Sequence, residues 1–312
     1  KKILVTGALG HIGSSLIRKL PDSFEHPEIV LIDNMSTQRY CSLFNLPKNA
    51  QYRFIEADIL KTELTDIAHP LDLVIHLAAI TDATSSFSNK EKVEKENLGM
   101  TTKIAEFCSH HNIPLIFFSS TSVYGAQEKI VTENCTKDEL NPQSPYAETK
   151  LKEENIIQLS AQSKLFPFVI FRFGTIFGIS PGMRFHTAVN KFCWQAVLNQ
   201  PLTVWKTAYH QRRPYLDLND AIRAIIHTIQ NNLFTNSIFN ILTLNAPVHD
   251  IITIIRERVP STQISFVESA IMNQMSYTVS NEKFSKNGFS YHGSLSQGIN
   301  QTLDLLKQAY SS

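Results

Sequence analysis

The sequence predicts an α/β chain built on a doubly wound parallel sheet, and three observations carry that prediction. Apolar runs of strand length alternate with helical stretches from the first residues to about Arg172. A glycine turn follows the first run. Side chains able to meet a ligand recur where the later runs end. Strands separated by helices pair in parallel, because each helix returns the chain to the same end of the sheet. With 312 residues, 43% of them hydrophobic, the chain has enough core for one large α/β unit and a smaller appendage.

The first run, Ile3-Leu4-Val5, reads as a buried strand. Thr6-Gly7-Ala8-Leu9-Gly10-His11-Ile12-Gly13 is a tight turn, and Leu16-Ile17-Arg18-Lys19-Leu20 continues it as a helix. Glycines at 7, 10 and 13 let the backbone turn, approach a pyrophosphate and pack helix on strand. The helix start then offers free N–H groups, around His11 and Ile12, to the phosphates. A ligand-free strand–helix turn is the plain alternative.

The second strand, Ile29-Val30-Leu31-Ile32, ends in Asp33-Asn34. A carboxylate there accepts hydrogen bonds from both ribose hydroxyls of an adenosine and repels a 2′-phosphate, which favours NAD over NADP. Arg39 is near enough in sequence to keep NADP in view. Tyr52-Arg53-Phe54-Ile55 leads to Ala57-Asp58-Ile59, and Leu71-Asp72-Leu73-Val74-Ile75 leads to His76-Leu77-Ala78-Ala79. A helical stretch around residues 97–111 precedes the strand Leu115-Ile116-Phe117-Phe118, which runs into residues 119–125. Phe168-Val169-Ile170-Phe171-Arg172-Phe173 is the next strand. Ligands of such sheets bind at the carboxyl ends of the strands, where Gly7, Asp33, Asp58, Ala78 and Ser120 fall.

Between those last two strands lies Ser144-Pro145-Tyr146-Ala147-Glu148-Thr149-Lys150. Ser144 suits an N-cap and Pro145 the first helical position. Tyr146 and Lys150, four apart, then share one helix face. Lowering a phenol from about 10 to about 7 needs roughly 4 kcal/mol of preference for the phenolate. An ammonium about 4 Å away supplies roughly that at an effective dielectric of about 20.

With these motifs in place the chain resembles the extended short-chain dehydrogenase/reductase family, in its branch of NAD-dependent nucleotide-sugar epimerases and dehydratases. Matching stretches are residues 6–13, Asp33-Asn34, Ala57-Asp58-Ile59, 76–79, Asn97-Leu98-Gly99, 119–125, 146–150, 172–178, 213–220 and 283–289, in the family order. The resemblance implies a Rossmann-type domain over 1–172, with later strands interleaved from about 203–245, and a substrate-binding lobe mainly from 173–312. It implies Tyr146 as acid/base, Lys150 on the nicotinamide ribose lowering the Tyr146 pKa, and Ser120 on the reacting oxygen. It places the adenine contact on Asp58 and Ile59, and further NAD contacts on Leu77, Ala78, Ala79, Asn97 and Phe173. Thr175, Arg184, Arg213 and Tyr277 are the corresponding substrate positions. Relatives pair as homodimers through two helices, here those near 97–111 and 144–163.

The chain also departs from the family. Dehydratases carry acids directly after the catalytic hydroxyl residue, where this chain has Thr121 and Ser122, so elimination of water ranks low. Thr175 replaces the usual asparagine before the V-Y-G turn. Trp205-Lys206-Thr207-Ala208-Tyr209-His210 replaces a glycine/acid stretch. No Lys or Arg occurs over residues 259–282, where an arginine commonly holds the substrate diphosphate, leaving Arg213 and Arg184 to pair with it.

The leading expectation is an NAD-dependent epimerase of a nucleotide-activated sugar, acting through a transient ketone. A reductase or dehydrogenase of a related alcohol, and a non-catalytic dinucleotide sensor, are the alternatives. Net charge is +1 with no basic block, so no nucleic-acid partner is expected. No apolar run approaches a membrane span, and the chain opens on Lys1-Lys2 and a strand with no signal segment in view. Cys41, Cys108, Cys135 and Cys193 form no C-x-x-C pair and the histidines no helical ligand spacing, so a cytoplasmic protein without a metal is expected. Residues 179–182 read as loop, 187–198, 218–230 and 248–259 as helices, and 202–205 and 263–267 as strands. Phe185 through Gln200 is a candidate cleft wall, with His186 and Lys191 as polar contacts.

Overall fold

A computed structural model describes every residue except 69, 82–86, 126, 128, 164–165, 269–276 and 310–312. Of the cation-free span 259–282, residues 269–276 lie outside the described residues.

The chain begins β1 (Lys2–Thr6), α1 (His11–Lys19), β2 (Glu28–Asp33), β3 (Gln51–Glu56), α2 (Leu64–Ala68), β4 (Leu73–His76) and α3 (Lys90–His111). It continues β5 (Leu115–Ser120), β6 (Ile130–Val131), α4 (Pro145–Ser163), β7 (Phe168–Phe173) and β8 (Thr175–Phe177). The second half adds α5 (Ala188–Val197), β9 (Leu202–Trp205), β10 (Arg212–Asp217), α6 (Leu218–Gln230), β11 (Ser237–Ile241), β12 (Leu244–Pro247) and α7 (Val248–Arg258). It ends with β13 (Ile264–Val267), β14 (Thr278–Val279), α8 (Glu282–Ser285) and α9 (Leu295–Lys307).

Seven parallel strands run in the order β11-β7-β5-β4-β1-β2-β3. The order reverses between β1 and β4, and a crevice opens at the carboxyl ends on either side of that switch point. Side-chain alternation sorts the strands onto two faces. Ile3, Val5, Ile29, Leu31, Ile116, Phe118 and Phe171 pack on one, toward α1 and α6. Leu4, Val30, Ile32, Leu115, Phe117 and Ile170 pack on the other, under α3 and α4. Both faces are covered, so these strands read as continuous apolar runs.

A separate core joins α5, α7 and α9 to β9 and β10. Of the segments from about 203 to 245 expected to return to the main sheet, β11 does so. By contrast, β9 pairs with β13, and β10 lies between β8 and β12. α6 has the expected bounds. α3 begins at Lys90, about two turns before the expected stretch, because Lys90-Glu91-Lys92-Val93-Glu94-Lys95-Glu96 are mostly good helix formers without an apolar period. β6, β8, β12, β14 and α9 have no counterpart in the sequence reading.

Candidate active site

The glycine turn leaves β1 and enters α1 at the switch point. Gly7 has φ +63°, and a Cβ there would come within 2.6 Å of the Ala78 backbone nitrogen, so the protein itself demands glycine. Gly10 differs. A Cβ there would meet only the Gly7 carbonyl, at 3.4 Å, so its missing side chain leaves open the space in front of the helix. Gly10 is also the N-cap of α1 and offers no side-chain acceptor to the N–H groups that follow, at His11, Ile12 and Gly13. Uncapped donors facing open space fit a diphosphate.

Asp33 ends β2. Its carboxylate accepts from the backbone N–H groups of Leu9 (3.1 Å) and Met35 (3.0 Å), which fixes it beside the glycine turn. Asn34 instead caps its own turn at Ser36. Arg39 is half-buried within the field of Asp33. Asp58 caps the turn beginning at Ile59, accepting from Leu60 N–H at 3.0 Å. Leu77, Ala78 and Ala79 leave β4 half-buried, and the Thr6 hydroxyl accepts from Ala78 N–H.

Two expected cofactor side chains are used differently. The Asn97 amide is spent on both backbone groups of Ile80, at 2.8 and 3.0 Å, so it pins the loop after β4. The Phe173 ring packs into the core on Phe118 and Phe171, which leaves only its backbone for a ligand.

The Tyr/Lys helix forms as its sequence dictates: the Ser144 hydroxyl accepts from Ala147 N–H at 3.1 Å, and Pro145 is the first helical residue. α4 packs on β5 and on the turn at residues 121–124. Ser120 closes β5. The Ser122 hydroxyl donates to its Oγ at 2.8 Å and the Ser122 N–H at 3.2 Å, leaving the Ser120 O–H free to donate elsewhere. The Thr121 hydroxyl is committed to the Phe173 carbonyl.

The Lys150 Nζ lies 5.8 Å from the Tyr146 ring centroid and 4.8 Å from that of Phe117. It is almost fully buried and ion-paired to Glu153 at 3.0 Å. The other Glu153 oxygen accepts from the Thr101 hydroxyl of α3 at 2.6 Å. Burial lowers the Lys150 pKa, but Glu153 and Tyr146 outweigh it and the net direction is upward. Burial also pushes the Tyr146 phenol up. Lys150 and Arg184 pull it down and Glu153 pushes it up, so in the chain alone its pKa is raised. The expected lowering by Lys150 is therefore present but outweighed, because burial and a carboxylate oppose it. Among the described residues the Tyr146 hydroxyl has no hydrogen-bond partner.

His76, at the end of β4, lies 2.7 Å through Nδ1 from the Thr6 hydroxyl, and its buried Nε2 has no partner among the described residues. Burial, with Lys150 nearby, drives its pKa down to about 3, so the ring is neutral.

On the substrate side, Arg184 donates to the Thr81 hydroxyl. Thr175 is the register partner of Tyr215. Arg213 bonds Gln211 at 3.2 Å and lies over the ring of Tyr277 at 5.9 Å, so β8 and β10 bring these positions to one small sheet. His186 is exposed and Lys191 half-buried. The loop at 178–182 folds onto the glycine turn: the His11 ring bonds the Gly178 carbonyl (2.9 Å), Ser180 Oγ donates to the His11 carbonyl (2.8 Å), and Gly182 N–H donates to Ser14 Oγ (2.9 Å). Glu153 and Thr101 were missed in the sequence, and the 179–182 loop was read as a loop without its contact to the glycine turn. Only the i,i+3 spacing of Lys150 and Glu153 could have flagged the first.

A model described as "NAD dependent epimerase/dehydratase family" matches residues 3–241. A Bacillus subtilis protein named an uncharacterized UDP-glucose epimerase is 33% identical over 232 residues, 72% of this chain and 71% of that protein. A dTDP-D-glucose 4,6-dehydratase of Dictyostelium discoideum is 30% identical over 241 residues, 72% of this chain but 54% of its own length. Among solved structures, a Bacillus cereus UDP-glucuronic acid 4-epimerase with UDP-glucuronic acid and NAD is 29% identical, with TM-score 0.86 over 99% of this chain and 100% of that one.

Proposed function

The chain belongs to the NAD dependent epimerase/dehydratase family, and from that premise we propose that it is an epimerase of a nucleotide-activated sugar, inverting one carbon through a transient ketone. The observation that carries this reading is the Tyr146–Lys150 face of α4 set against the Ser120 end of β5, with hydroxyls alone at Thr121 and Ser122. Neither Thr121 nor Ser122 can serve as the acid or base that elimination of water requires, and the Tyr124 phenol of the same turn is buried on Asn240 and Arg172, which disfavours the dehydratase reaction of the Dictyostelium relative. UDP-sugars are the first candidates, UDP-glucuronic acid and UDP-glucose among them, because the relatives at 29% and 33% identity carry those names.

Tyr146 takes the proton of the hydroxyl being oxidised and later returns it. Ser120 donates to the same oxygen, its own proton kept free by Ser122. Lys150 holds the nicotinamide ribose and offsets the phenolate charge. Bound NAD would supply the hydride acceptor and donor for that carbon, with no net consumption. The N–H groups after Gly10 hold its diphosphate, Asp33 its adenosine ribose, Asp58 and Ile59 its adenine edge, and Leu77 through Ala79 its backbone contacts. The 178–182 loop, bonded across the glycine turn, favours a cofactor that stays bound between turnovers.

The same reading makes the protein a cytoplasmic homodimer paired through α3 and α4. Leu159 is 63% exposed on α4, in keeping with a covered outer face. Light scattering tests the dimer, and a monomer rejects it. The activity is tested by incubating purified protein with a panel of UDP-sugars and following the anomeric signals by NMR. An equilibrium mixture of two epimers without net NADH is expected. NADH formed in step with substrate loss, or a 4-keto-6-deoxy product, overturns the reading.

A further inference from the structure

Lys150 carries a charge that the fold itself already pairs. Its ammonium sits 3.0 Å from a Glu153 carboxylate that is itself sealed from solvent, between the face of Phe117 and the α3–α4 seam. The carboxylate is held from the far side by the Thr101 hydroxyl, 52 residues away in sequence. A lysine stem is long and carries much rotamer freedom. Here its head is tied to a point defined by two helices.

We infer that Glu153 is a positioning residue of this site: seated by Thr101, its carboxylate fixes where the Lys150 ammonium lies and thereby tunes the proton traffic of Tyr146. The inference rests on the roles proposed for Tyr146 and Lys150. The carboxylate holds the ammonium in its charged form through the whole cycle, so Lys150 acts as a fixed cation and not as a proton donor. It also opposes that cation at the phenol, so how strongly Lys150 favours the phenolate that takes the substrate proton depends on Glu153. The other groups facing this cluster are Arg184 from the substrate side, neutral His76 from β4, and Glu154 from α4, which is consumed by Arg172 of β7. None of these carries a second free carboxylate to the ammonium, so Glu153 has no substitute among them.

The test is Glu153→Gln, which keeps the shape and the contact with Thr101 but removes the charge. Tyr146 ionisation is read in the NAD-loaded protein by phenolate absorbance against pH, with Tyr146→Phe as the blank, a measurement that needs no turnover. The midpoint should fall by about one pH unit on loss of a nearby like charge. With an active substrate in hand, the acidic limb of kcat/KM should move down in parallel, and NAD affinity should weaken several-fold. Glu153→Asp should restore the midpoint most of the way. An unchanged midpoint and pH profile, with only a general fall in kcat, overturns the inference and leaves the proposed activity standing. Absence of turnover by the wild-type protein on every UDP-sugar, with the midpoint shifted in the Gln variant, leaves the inference standing and overturns the activity. Should the Gln variant fail to fold, the wild-type protein with carbon-13-labelled lysines answers instead. Lys150, assigned by its loss in Lys150→Arg, should titrate above the ordinary lysine value, and a value below it rejects the pairing.

Discussion

Arg172 of β7 grips Glu154 of α4 with two parallel hydrogen bonds, Nε to Oε1 at 2.9 Å and Nη2 to Oε2 at 2.7 Å, both side chains being out of solvent. Ser119 donates to the same carboxylate, and the free arm of Arg172 reaches the Tyr124 hydroxyl, which donates on to Asn240. The fork therefore joins the catalytic helix to three strands beneath it. Removing one partner leaves a buried charge alone, which destabilises by about 3–5 kcal/mol. Glu154→Ala should lower the urea midpoint accordingly. A loss below about 1 kcal/mol would mean that water reaches the fork, since exposed pairs contribute no more.

Tyr146→Phe removes one oxygen and little volume. If the phenol carries the proton, turnover should drop about 10²–10⁴-fold, the usual contribution of a general acid/base. NAD binding, measured by calorimetry, should stay within twofold. Equal turnover by wild type and variant would favour a dinucleotide sensor.

On the proposed cofactor site Asp33 would separate NAD from NADP, its carboxylate being already aimed by two backbone N–H groups. Asp33→Ser should weaken NAD by about tenfold or more, the loss of charge-assisted bonds to the ribose. Arg39, within the field of Asp33, should then narrow the preference against NADP. Titrating both cofactors into both proteins checks this, and an unchanged ratio rejects it.

His76 predicts a pH effect on stability. Its folded pKa is depressed to about 3 by burial, below the unfolded value of 6.5. Above the unfolded value both states are neutral and nothing changes. As pH falls below it, the unfolded chain binds a proton that the native ring refuses, so stability is lost, by about 2 kcal/mol at pH 5. Urea titrations at pH 7 and pH 5 should differ by that amount more in wild type than in His76→Asn.

The nucleotide half was legible because its signals are local. Gly7, Gly10 and Gly13, the apolar runs of β1, β2, β5 and β7, and the Ser144-Pro145 start of α4 each state their structure within a few residues. The second half is less legible. β10 was recognisable as a segment but not as the centre of a small sheet, and β14 pairs with β6 across 148 positions, which no periodicity encodes. Asn97 and Phe173 stand at family cofactor positions, yet their side chains answer to the loop after β4 and to the core.

By itself the order of residues determined which strand ends meet and that a phenol and an ammonium share one face there, because helical and strand periods set those directions locally. The tertiary structure alone decided what the ammonium touches. Glu153 could have faced water from the same helix. It faces Lys150 because α3 packs on α4 and offers the Thr101 hydroxyl, and a buried carboxylate must find both a counter-charge and a donor. That requirement acts through space, between residues whose separation along the chain carries no trace of it.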